Sequence, residues 1–214
     1  SPAEKEAMEC AVEVRKCRQI AAKKLAERIL AELAQLDMPK VQFECEFTEC
    51  DLGINGIDAV AFYMSANAGE SLKPMSKVAS GGELARIMLA MKNVLAQQDQ
   101  VPTLVFDEVD TGVSGKTSQK IGLKLHELSQ STQVICITHS AQIAALAENH
   151  YFIKKNEVDG RAETSIYLLN EEEKVQEIAG DSPSTLNLVY PEAFLSQGDG
   201  RIAKINETMA KYVE

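Results

Sequence analysis

Thr103-Leu104-Val105-Phe106-Asp107-Glu108 decides how this chain is read. Leu104, Val105 and Phe106 form a short apolar run, the pattern of a strand inside a parallel sheet covered on both faces. The run ends in two adjacent carboxylates, which a strand end points to opposite sides. Asp107 can then hold Mg²⁺, directly or through water, while Glu108 orients and deprotonates an attacking water. Salt bridges at the sheet edge are the plainer alternative, and the apolar lead-in argues against them.

One helix and one loop upstream stands Val78-Ala79-Ser80-Gly81-Gly82-Glu83. From Ser80 the periodicity turns helical, with Leu84, Ile87, Met88, Met91, Val94 and Leu95 on one apolar stripe. Ser80 and Glu83 fit a capping box, in which hydroxyl and carboxylate each satisfy a backbone N–H. Gly81 and Gly82 let the main chain approach an anion at the positive helix end, so the stretch suits a phosphate. An ordinary capped helix with a flexible entry explains the same residues equally well.

Downstream, Val134-Ile135-Cys136-Ile137 predicts the next buried strand, with Thr138-His139 at its end. His139 there can donate a hydrogen bond to a phosphate oxygen or to the attacking water, although a satisfied buried histidine is the commoner fate of a single His. His126 and His150 read as surface residues without a role. Ser140 makes no triad with His139, because adjacent side chains point apart and the chain has no GxSxG elbow.

Gly112-Val113-Ser114-Gly115-Lys116-Thr117 imitates a P-loop. The pattern G-x-x-x-x-G-K-[ST] needs Gly where this chain has Asp110, whose charge would repel the phosphate. Asp110 to Gly115 reads instead as a segment facing another molecule. No convincing loop for gripping the β-phosphate of a nucleotide is found.

The remaining pattern organises around these pieces. Met8, Ala11, Val14, Cys17, Ala21, Leu25, Ile29, Leu33 and Leu36 recur at steps of three and four. They predict one long amphipathic helix over residues 1–36, too long for an ordinary globular element and suited to a coiled coil continuing upstream. Val41, Phe43, Cys45 and Phe47 predict a half-buried strand, and Ala59 to Ser65 its hairpin partner across the turn Gly53-Ile54-Asn55-Gly56. Ile121, Leu125 and Leu128 mark the core side of a helix after the Asp110 loop, and Ala141 to Glu148 a short helix. Tyr151–Lys154 and Thr164–Leu169 read as edge strands. Strands alternating with helices give an α/β fold over residues 37–180, a mostly parallel sheet flanked by helices. Residues 181–214 carry loops and a final helix from Arg201 to Tyr212, with no role assignable.

The chain has 214 residues, 45% hydrophobic and 25% charged, enough for one good core and ordinary for a soluble globular protein. Five scattered cysteines without a CxxC argue against a disulfide framework or zinc site and suggest a reducing, cytoplasmic setting. No apolar run reaches membrane-spanning length, and Ser1-Pro2-Ala3-Glu4-Lys5 looks like an excised or processed start. A net charge of −10 argues against a broad nucleic-acid-binding face. Arg15, Lys16, Arg18, Lys23, Lys24 and Arg28 form a local basic exception, read as a solvated helix surface in preference to a phosphate-backbone contact.

In order, Ser80-Gly81-Gly82-Glu83, Leu104 to Glu108, Asp110-Thr111-Gly112 and Thr138-His139 resemble the signature, Walker B, D-loop and switch histidine of ABC-type ATPase heads. The longer strings Leu72 to Leu84 and Phe106 to Gly115 resemble the RecN family, bacterial DNA double-strand-break repair and recombination ATPases related to the chromosome-maintenance (SMC) proteins. The resemblance runs from about Leu36 to Ala179. It implies the C-terminal lobe of an ABC/SMC-type head, preceded by the returning arm of a coiled coil. It further implies that Ser80, Gly81, Gly82 and Glu83 meet the γ-phosphate of ATP bound mainly by a second head. Asp107 would hold Mg²⁺, Glu108 act as general base, Asp110 lie at the dimer interface and His139 sense the γ-phosphate. The implied partners are the N-terminal half of its own head, which would bring Walker A, a second head, and double-stranded DNA ends; the implied setting is the cytoplasmic nucleoid. An ABC transporter nucleotide-binding domain and a non-catalytic SMC-like scaffold stay open as rivals.

Overall fold

A helix of 34 residues, α1 (Pro2–Gln35), opens the chain. Ser1 caps it: its hydroxyl accepts from the Glu4 N–H at 3.2 Å, and Pro2 occupies the first turn, where no backbone donor is needed. The helix stops where Asp37 turns left-handed, at φ 59°, and the Met38 N–H reaches the Leu33 carbonyl at 2.9 Å. The computed structural model describes residues 1–67, 69–77, 81–96, 98, 101–158, 161–179 and 185–189, in two compact units, Ser1–Val94 and Leu95–Glu214.

In the first unit α1 packs on an antiparallel hairpin of β1 (Gln42–Gly53) and β2 (Gly56–Ser65), in register from Gln42 opposite Ser65 to Glu49 opposite Asp58. Ile29, Leu33 and Leu36 are fully buried, whereas Met8 and Val14 of the same expected stripe are over 40% exposed. The C-terminal half of the stripe is therefore the more deeply buried, and the N-terminal half is covered only in part, with Ala11 4% exposed. Phe43 and Phe62 stack across the strands with ring centroids 5.4 Å apart. β3 (Lys73–Pro74) adds a short pairing to β2, a single 3₁₀ turn follows, and α2 (Gly81–Leu95) completes the unit up to Val94.

The basic stretch on α1 is exposed as expected at Lys16, Lys23, Lys24 and Arg28, and departs from that expectation at Arg15 and Arg18. Arg15 Nε donates to Asp58 Oδ1 at 2.7 Å, its Nη2 donates to the Ile57 carbonyl, and Glu49 Oε1 lies 3.6 Å away. Glu49 and Asp58 face each other across the ladder, a like-charge pair that Arg15 neutralises from the helix. Arg18 Nη1 caps the hairpin turn by donating to the Asn55 carbonyl at 2.7 Å. Two of the six cations thus hold the helix on the hairpin.

The second unit is built on a five-stranded sheet in the order β4-β5-β8-β6-β7: β4 (Thr103–Asp107), β5 (Gln133–Ile137), β6 (Asn149–Val158), β7 (Arg161–Leu168) and β8 (Thr185–Val189). α3 (Gly115–Ser129) makes the crossover between the parallel pair β4 and β5, burying Ile121, Leu125 and Leu128 as their spacing predicts. α4 (Ala141–Ala144) follows β5 and is shorter than the predicted helix; α5 (Glu171–Ala179) follows β7.

Several expectations change here. Parallel pairing among the described strands is confined to β4 and β5; β8, β6 and β7 add antiparallel. β6 is an inner strand, because β8 pairs with its other edge, so only β7 of the two expected edge strands is one. β8 lies between the loops expected at 181–184 and 197–200, where the sequence assigned no element: Thr-Leu-Asn-Leu-Val lacks the continuous apolar run of β4 and β5, and its partners are remote in sequence. β4 is covered on one face only, with Phe106 5% and Val105 37% exposed, and it lies at the sheet edge. The expected loops at 181–184 and 197–200 and the helix from Arg201 to Tyr212 fall outside the described residues. No helix among the described residues is long and apolar enough to cross a membrane.

Candidate active site

β4 and β5 run parallel and in register, Asp107 opposite Ile137, so their C-terminal ends finish side by side. The Glu108 N–H donates to the Ile137 carbonyl at 3.0 Å, which carries the ladder one residue past β4. Glu108 then enters the left-handed region at φ 48°, unusual for a residue with a side chain and costing on the order of 1 kcal/mol or more. The chain turns at once: the Thr111 N–H donates back to the Glu108 carbonyl at 3.0 Å. Apolar β-strand, strained corner and closed turn leave Asp107 and Glu108 exposed at the rim while Val109 is wholly buried beneath them.

The end of β5 mirrors this. The Thr138 hydroxyl accepts from the Ser140 N–H at 3.0 Å, closing a small turn around His139. Thr138 is 3% exposed and Ser140 9%, while His139 between them faces solvent. The two rims are joined underneath: the Thr138 hydroxyl donates to Asp110 Oδ2 at 2.5 Å, with Asp110 itself 3% exposed. Asp107, Glu108 and His139 therefore stand together at the open C-terminal edge of two adjacent parallel strands, the place where α/β sheets bind ligands. Asp110, expected at a molecular interface, turns its carboxylate inward; Thr111 and Gly112 are the exposed members of its loop.

Cys136, opposite Phe106, lies wholly buried beneath this edge, and burial, with smaller contributions from Asp110 and Asp107, pushes its thiol well above the usual range. It is an inert core residue. His150, read from sequence as a surface residue, is fully buried on β6 with neither ring nitrogen partnered among the described residues. Burial, and then the charge of Lys174, lowers its pKa.

The P-loop look-alike is a capped helix start. Ser114 is the N-cap of α3, and its hydroxyl accepts from the Thr117 N–H at 3.4 Å, so one of the free donors at this helix end is already taken. In the first unit, Gly81 is exposed and a Cβ added there would meet nothing within 4 Å. Gly82 is buried. Glu83 lies one turn before the buried Arg86, whose pKa burial lowers and the Glu83 charge raises. Ser80 falls outside the described residues, and with it the expected capping box. Nothing in the spacing of Thr138 marks it as the partner of Asp110: they lie 28 residues apart, and only strand pairing brings them together.

The chain is 48% identical over 163 residues to the DNA repair protein RecN of Halalkalibacterium halodurans, covering 74% of this chain and 29% of that relative. It is 43% identical over 209 residues to the DNA repair protein RecN of Bacillus subtilis, covering 88% and 36%. The chain belongs to the RecN family. It spans about a third of the length of the curated relatives it matches, including RecN of Treponema pallidum, at 39% identity over 192 residues and 34% of that protein. No family model matches it. Among solved structures it is similar to an Smc head domain with a coiled coil and joint derived from Pyrococcus yayanosii, at a TM-score of 0.54 and 21% identity, covering 76% of this chain and 29% of that one. The RecN-family chain therefore has the fold of an SMC head, reached at low sequence identity.

Proposed function

We propose that this chain supplies the hydrolytic edge of an ATP-driven DNA-repair ATPase, completed by the rest of its own head and by a second head. The observation that carries this reading is the grouping of Asp107, Glu108 and His139, all exposed, at neighbouring strand ends. Membership of a family whose relatives are named DNA repair proteins supports repair rather than transport as the setting.

The residues fit the groups the reading needs. Asp107 offers a hard, exposed carboxylate at a strand end, suited to Mg²⁺, which when bound would offset the phosphate charge. Glu108, on the other side of the strand end, orients the attacking water and takes its proton. His139 donates a hydrogen bond to the terminal phosphate from the adjacent strand. Gly81, Gly82 and Glu83, with Ser80, present the N-terminus of α2 to the phosphate of ATP held by the second head, and the open surroundings of the Gly81 Cα support a close approach there. Thr111 and Gly112 face that head, carried by the buried Asp110. The self-capped start of α3 supports a Walker A grip supplied by the N-terminal half of the head, and the open edge and half-covered face of β4 leave a surface for it. α1 is the returning coiled-coil arm that couples the heads to DNA, with double-stranded ends as the expected substrate.

The test uses a full-length RecN-family protein carrying this chain. Calorimetric titration of ATP with Mg²⁺ shows binding in both the parent and Glu108→Gln, while turnover in the variant falls by about a hundredfold or more. An Asp107→Asn variant loses the Mg²⁺ dependence of that binding. Undiminished turnover in Glu108→Gln refutes the assignment.

A further inference from the structure

Two turns at the sheet edge expose Glu108 and His139, and one buried hydrogen bond joins the turns. The first turn closes from Thr111 N–H to Glu108 O and holds Glu108 in its left-handed conformation. The second closes from Ser140 N–H to Thr138 Oγ1 and fixes the backbone of His139. Because Thr138 accepts from Ser140, its own proton points to Asp110 Oδ2, and the donor order runs Ser140 N–H, Thr138 O–H, Asp110 carboxylate. Both hydrogen bonds are buried, while the two side chains they space, Glu108 and His139, face solvent. A charge-assisted hydrogen bond in such a setting is shorter and stiffer than a neutral surface one.

We propose that Asp110 and Thr138 are positioning residues whose hydrogen bond sets the turn of Glu108 against the turn of His139, so that base and phosphate sensor meet one nucleotide in register. This inference rests on the functional reading of Glu108 and His139. Neither residue of the pair touches the reacting atoms. Their effect comes through geometry, and misplacing a catalytic group by about 1 Å costs on the order of a hundredfold in rate. An Asp110 acting only at an outer interface would need its carboxylate exposed, and it is not.

The experiment is carried out in a full-length RecN-family protein carrying this chain. Thr138→Val keeps shape but removes the hydroxyl, and Thr138→Ser keeps the hydroxyl. Steady-state ATP hydrolysis is measured for both, alongside thermal melting and the His139 imidazole resonances under histidine-selective ¹³C labelling. The expected result is a fall in kcat of about tenfold to a hundredfold for Thr138→Val with KM changed less than about threefold. Thr138→Ser recovers most of that loss, and only Thr138→Val shifts or broadens the His139 signal. Parental kcat in Thr138→Val overturns the proposal, as does equal impairment of both variants in step with their melting temperatures. If the parent itself shows no turnover, the functional reading fails, and the His139 signal still decides the link: an unchanged resonance in Thr138→Val refutes it.

Discussion

Glu108 has a conformation that its side chain disfavours. At φ 48° its Cβ crowds the following carbonyl, a penalty that glycine escapes. Glu108→Gly is therefore expected to melt no lower than the parent, whereas Glu108→Val, stiff at Cβ, melts several degrees lower; a melting series on the purified chain checks both. Stability would then rise or hold as hydrolysis is lost, the sign of strain kept for function. His150 gives a second residue-scale prediction. Its folded pKa is lowered by burial and by Lys174, so the folded state refuses a proton that the unfolded chain accepts near pH 6.5. Its contribution is intact above about pH 6.5 and is lost as pH falls from there towards the folded value. Denaturation midpoints between pH 7.5 and about 5.5, where carboxylates stay largely ionised, should fall with pH in the parent and flatten in His150→Leu. An equal slope in both would remove His150 as the cause.

At the level of elements, the packing of α1 on its hairpin depends on Arg15. Removing it leaves Asp58, with a side chain only 2% exposed, opposite Glu49 without its cation. Arg15→Ala should cost about 3 kcal/mol in urea unfolding, far more than Lys16→Ala on the exposed face. The α3–α4 contact is equally specific. A Cβ at Gly122 would sit 2.7 Å from Leu146 Cδ1, with the Ile143 Cα at 3.4 Å behind it. Leu146 can swing aside for Ala, but Gly122→Val should cost about 2 kcal/mol, and a tolerated Val would contradict the packing. These elements also show what a sequence discloses. α1, the hairpin, α2, α3 and β5 follow from apolar period and turn residues, which act locally. The exposure of the three candidate residues Asp107, Glu108 and His139 follows from their place at the ends of apolar runs. Hidden were β8, whose partners are remote in sequence, the burial of His150, and the tie from Asp110 to Thr138. Each of these is set by strand order, which no local period encodes. On the basic face of α1, Lys16, Lys23, Lys24 and Arg28 are solvated as expected, while the roles of Arg15 and Arg18 were hidden because their partners lie on the hairpin.

For the whole molecule, the proposed reading makes the chain one half of a reaction site. Its carboxylates and histidine stand at a sheet edge, its only P-loop-like string is a capped helix start, and β4 ends the sheet with one face half open. On that proposal the grip on nucleotide comes from elsewhere, and the long helix α1 leads away as the coiled-coil arm. Charge supports the same division: a net −10 disfavours DNA contact by this piece, so DNA binding by the full-length protein should weaken little when Lys23, Lys24 and Arg28 are neutralised together in a filter-binding assay. The most direct measurement is ATP hydrolysis by this chain alone, by the chain mixed with an N-terminal half-head from a RecN-family protein, and by the same mixture carrying Glu108→Gln. The account predicts no turnover from the chain alone, turnover from the mixture, and its loss in the Glu108→Gln mixture. Hydrolysis by the pure chain, or a Glu108→Gln mixture as active as the parent, would contradict it.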